Sequence, residues 1–78
     1  MNGTVGEIRL WAGSWAPQKW LFCEGQLMQM QQHYALATVI GNTFGGDGQT
    51  TIALPDLRGK LPVRSIICVD GEYPMQPY

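Results

Sequence analysis

Charge is scarce in this chain. Five basic and six acidic residues leave a net charge of -1, and only 14% of the positions are charged. The basic residues Arg9, Lys19, Arg58, Lys60 and Arg64 form no dense run, so a nucleic-acid partner has little electrostatic support. Long apolar runs are also lacking. Nothing approaches the roughly 20 residues that span a bilayer, and Met1-Asn2-Gly3-Thr4 lacks the charged head and apolar segment of a signal peptide. No membrane insertion is expected, and any export would proceed without a classical cleaved signal.

Catalytic and metal-binding residue types are thin as well. His33 is the lone histidine and has no motif around it, so a surface or packing role is expected. Cys23 and Cys68 lie far apart with no Cys-x-x-Cys and no Cys/His cluster, which argues against zinc. Asp47 and Asp56 belong to no regular set of acidic positions able to supply the six to eight oxygens that calcium needs. The glycines at 45, 46 and 48 lack the lysine and Ser/Thr of a phosphate-binding loop. No cofactor is expected, and an enzyme is the least supported class.

What the chain has is apolar and aromatic content: 45% hydrophobic residues, with three tryptophans. That composition favours a folded unit over a disordered one. A single domain spanning residues 1–78 is expected, and one of this size buries only about 60% of the surface its unfolded chain exposes. Self-association is a natural way to add buried area.

The chain reads as α+β: a small β-sheet with an N-terminal hairpin, one short helix, a Gly-rich loop and a C-terminal strand. Residues 5–12 alternate, with Ile8, Leu10 and Ala12 on the expected core side and Glu7, Arg9 and Trp11 on the other. Gly13 and Pro17 mark a loop over residues 13–18 that returns the chain into a second strand at 19–24, completing the hairpin. Residues 31–40 are expected to be an amphipathic helix carrying Leu36, Val39 and Ile40, stopped by Gly41-Asn42, with Gln29, Gln31 and Gln32 facing water.

The most informative stretch runs from Asn42 to Lys60. In Gly45-Gly46-Asp47-Gly48 the glycines take positive φ without steric cost, so the chain turns sharply before an extended β-branched run over residues 50–54. Leu54-Pro55-Asp56 then fixes an exit, because proline pins its own φ and biases Leu54 toward extended geometry. Asp56 and Arg58 flank Leu57, and local turn bonding explains them better than ligand binding. Gly59 follows. Residues 60–63 are expected to be briefly extended, and the segment over residues 65–74 holds the expected C-terminal strand. A disulfide between Cys23 and Cys68 and a pair of buried free thiols both remain open. Trp20 and Phe44 are expected inside, with Trp15 and Tyr78 exposed; Trp15, Tyr73 and Tyr78 form the candidate partner surface.

Three motifs occur together: Gly6-Glu7-Ile8, Ala16-Pro17-Gln18-Lys19-Trp20-Leu21-Phe22-Cys23-Glu24-Gly25-Gln26, and the 42–60 block. In this order the sequence resembles the phage tail collar domain family, which includes bacterial microcystin-dependent-protein-like members, over about residues 5–63. The resemblance implies a tail-fibre or tail-fibre-like structural protein, placed in a virion tail or outside the cell. Relatives usually continue after the position of Arg64 through a glycine into a long variable region, whereas this chain passes almost directly to its closing strand. The natural place for receptor contact is therefore missing, and an assembly role is favoured. The expected partner is a second copy of the chain, in a trimer, as the likeness to short tail fibres implies, or in a filament. The alternative is an adhesin that binds a cell-surface glycan or receptor through Trp15, the glycine loop and Asp56.

Overall fold

The computed structural model describes residues 1–59 and 62–75. Its elements run β1 (Ile8–Trp11), β2 (Trp20–Phe22), β3 (Leu27–Gln29), α1 (Tyr34–Ile40), β4 (Thr51–Ala53) and β5 (Arg64–Cys68). They form an α+β fold of one short helix and two antiparallel sheets, with strand orders β1-β5-β2 and β3-β4. Lys60 and Leu61, from the segment expected to be extended, lie outside the described residues, as does Tyr78.

The pairing differs from the expected hairpin. β1 and β2 are not partners; β5 lies between them, with Arg9 opposite Ile66 on one side and Phe22 opposite Ile66 on the other. The reason is that Ser65, Ile66, Ile67 and Cys68 are all buried, so this apolar run needs cover on both faces and belongs at the sheet centre. The alternating β1 goes to the edge.

Two apolar clusters cover the central sheet, one on each face. Directly opposed residues point to the same side, so Leu21, Ile67 and Ile8 share one face and Phe22, Ile66 and Arg9 share the other. On the first, Ile67 packs with Val5, Cys23, Leu36, Ala37, Ile52 and Leu54, which brings α1 and β4 onto the sheet. On the second, Trp20, Ile66 and Cys68 pack with Trp11, Ala16 and Phe22.

Several expectations about burial are corrected. Ile8 and Leu10 share the face of Ile67 but remain 44% and 60% exposed, because β1 is the sheet edge and the helix packs elsewhere. Phe44 is 49% exposed, within the run of turns over residues 41–46 that follows α1. Within the helix, Leu36 and Ala37 are buried while Val39 faces outward. The helix is also shorter than expected, starting at Tyr34, because residues 30–33 form the turn out of β3, with the N–H groups of Gln32 and His33 donating to the Gln29 carbonyl. Gly41 ends it at φ 56, its N–H donating to the Ala37 carbonyl, while Gln29, Gln31 and Gln32 are exposed.

Cys23 and Cys68 are free and buried. The N–H of Cys23 donates to Ser65, three residues from Cys68 along β5, and an odd separation puts the two thiols on opposite faces. Of the two readings left open, the structure holds two free thiols. Burial pushes the Cys23 thiol up to about 11.

Candidate functional site

The block between α1 and β5 is built by backbone geometry and two carboxylates. Gly45, Gly46 and Gly48 have φ of 134, 88 and 76. The bend lets Gly45 accept from the N–H of Ala53 while the N–H of Gly48 donates to Thr51, folding the loop onto β4. Asp47 locks it: one carboxylate oxygen accepts the N–H groups of Gln49, Thr50 and Thr51 at 2.8, 2.7 and 2.9 Å, and the other accepts the Thr50 hydroxyl at 2.7 Å. The Thr51 and Gln49 amides lead in holding the Asp47 carboxyl well below the usual range.

The following corner is held from both sides. Pro55 is buried, and its carbonyl accepts the N–H of Gly25 while the N–H of Leu57 donates to Cys23. Asp56 receives Arg58 in a two-pronged contact, Nε to Oδ1 and Nη2 to Oδ2, both at 2.9 Å. The Arg58 N–H donates to the same Oδ1, which closes the turn locally. Gly59 continues the turn at φ 74. Both carboxylates are thus committed to the chain's own backbone and guanidinium, an arrangement suited to rigidity.

The candidate partner residues are spread apart. Trp15 is 75% exposed, and its carbonyl accepts the indole N–H of Trp11. Tyr73 is also exposed, with its hydroxyl bonded to that of Thr38 on α1. His33 sits half-buried before α1. A groove of about 300 Å³ beside the corner is lined by Arg58, Arg64, Phe22 and Glu24, with the Arg64 guanidinium 4.6 Å from the Phe22 ring centroid. Among the described residues no group of three or more His, Cys, Asp or Glu is arranged to hold a metal ion, and no helix is long and apolar enough to cross a membrane.

One surface was not singled out from the sequence as a site: the edge of β1, which no strand pairs with among the described residues. It begins at Gly6, φ 89, where Gly6 and Glu7 together face Cys68, the Gly6 N–H donating to the Cys68 carbonyl and the Cys68 N–H to Glu7. This is a bulge that needs a glycine in the left-handed region. A bonded pair at that point makes Ile8·Ile67 the next, non-bonded pair, so the backbone groups of Ile8 and Leu10 turn away from β5. The signal in the sequence was the contrast between the alternating Ile8-Arg9-Leu10-Trp11 and the continuous Ile66-Ile67-Cys68, which separates edge strand from centre.

No curated protein sequence matches the chain significantly. The description Phage Tail Collar Domain matches residues 6–62, a span that starts at the Gly6 bulge, takes in β1 to β4 and ends just beyond the Pro55 corner. This is a structural domain of phage tails and not an enzyme family, in keeping with carboxylates spent on turns. With its bulge, glycine loop and corner all inside the matched span, which is well over half of its length, the chain belongs to the phage tail collar domain family.

Proposed function

We propose that this chain is an assembly module of a tail fibre, or of a fibre-like structure outside the cell, that works by associating with further copies of itself. The carrying observation is the β1 edge, unpaired among the described residues, where outward-turned backbone groups accompany exposed Ile8 and Leu10. Closed symmetry gives a ring such as a trimer, and a contact that does not close gives a filament. The thin core of a 78-residue chain favours either outcome. Sedimentation velocity over a concentration series, with negative-stain imaging of the heaviest species, tests the reading. Assemblies that grow with concentration are expected; a monomer throughout overturns it.

A second reading, adhesion to a cell-surface glycan or receptor, draws on the exposure of Trp15, whose ring offers a stacking face. Asp47 and Asp56 support it less, because their oxygens bond within the chain. Glycan-array binding that is lost in Trp15→Ala would favour this reading; no response on the array would remove it.

A further inference from the structure

We propose that two copies of this chain pair through the free edge of β1, antiparallel about a two-fold axis at Ile8, extending the three-stranded sheet across the contact. The proposal rests on the self-association reading and specifies its contact. In this register Ile8 faces Ile8 of the second copy and Glu7 faces Arg9 of the second copy; the contact ends at the Gly6 bulge, whose N–H is already bonded to Cys68.

Three observations select the occupant and the register. First, Glu7-Ile8-Arg9 is self-complementary in charge when reversed about its centre, so opposite charges meet at both 7·9 positions. Within one copy Arg9 Nε already lies 2.7 Å from a Glu7 oxygen, and the guanidinium is fixed 5.2 Å from the Trp20 ring centroid. The two pairs therefore combine into a closed ring of alternating charge on one face of the joined sheet. Second, Ile8 and Leu10 occupy the opposite face in both copies and are exposed as single chains. Pairing sets the two Ile8 side chains side by side on that face. Third, the backbone groups of Ile8 turn outward, as a bonded pair at Ile8·Ile8 requires. The contact is isologous and closes on a pair; further growth uses a different surface.

The test is a charge exchange, read by sedimentation velocity and native mass spectrometry at low salt. Glu7→Arg and Arg9→Glu should each weaken pairing at least about tenfold, because both 7·9 positions then carry like charges. Mixed in equal amounts, the two variants should associate with each other, since every 7·9 position again joins opposite charges. Glu7 also accepts the Thr4 N–H, so circular dichroism must show both variants folded; Leu10→Lys, at an exposed position, provides an independent disruption. Association of each single variant at wild-type strength, or a mixture no tighter than its parts, overturns the proposal. If wild type assembles but is indifferent to all three changes, the β1 contact is wrong and self-association stands. A wild-type monomer at every concentration removes both.

Discussion

Gly46 lies against the backbone of the strand that follows it: a Cβ there would sit 2.6 Å from both the Ile52 Cα and the Thr51 carbonyl oxygen. Neither atom can swing aside, and the φ of 88 is unfavourable for any side chain. Gly46→Ala should cost about 2–5 kcal/mol, combining left-handed strain with overpacking. Gly59, at φ 74 with nothing near its Cβ position, should lose only about 1–2 kcal/mol on the same change. Urea unfolding of the pair checks both, and equal losses would show that backbone proximity at Gly46 does not matter.

Asp47 predicts a loss of stability in acid. Its carboxyl is depressed in the folded chain by the Thr51 and Gln49 amides. A depressed folded value means that the contribution is fully present above the unfolded value of about 3.9 and disappears as the pH falls below it toward the folded one. Asp47→Asn keeps an oxygen for the three amides but removes the charge, so its unfolding midpoint should vary less with pH than that of wild type below pH ~4. Asp47→Ala should be weaker at every pH. Parallel pH profiles for wild type and Asp47→Asn would contradict the assignment.

Neither thiol should react in the folded chain. Both cysteines are buried and Cys23 titrates only near 11, so iodoacetamide at neutral pH should label neither until urea is added, when two labels should appear. A native mass two hydrogens light, with no labelling after unfolding, would mean a disulfide instead.

The tryptophans separate by role. Trp20 anchors the second cluster, and Trp20→Ala should cost about 3–5 kcal/mol, a large share of the roughly 4–12 kcal/mol available to a chain of this length. Trp15→Ala should stay within about 0.5 kcal/mol, because its ring is exposed and Trp11 bonds only to its carbonyl. Thermal melts of the two variants decide this.

Much of the fold was legible in the residues. The glycine turns and the proline corner announce themselves by dihedral preference, and Thr51-Ile52-Ala53 and Ile66-Ile67-Cys68 by apolar and β-branched content. Pairing was less visible. Ile8 and Leu10 alternate as a half-buried strand should, yet nothing local states whether the neighbouring element reaches them. Leu27-Met28-Gln29 carries no β-branched residue and gives no strand signal of its own; its strand character comes from the partner Thr51-Ile52-Ala53. The β1 edge was only half visible: the contrast of patterns separates edge strand from centre, but which side of β1 stays unpaired is set by β5 alone.

The strand that joins β1 to β2 comes after all the other described elements in the chain. Until residues 64–68 leave the ribosome, neither neighbour has anything to bond to, and Leu21, Trp20 and Val5 remain wetted. Formation of the central sheet must therefore wait until residues 64–68 are made, and it proceeds through distant contacts, at the slower end for so small a domain. A nascent chain stalled before Arg64 would carry most of the collar sequence and none of its central sheet.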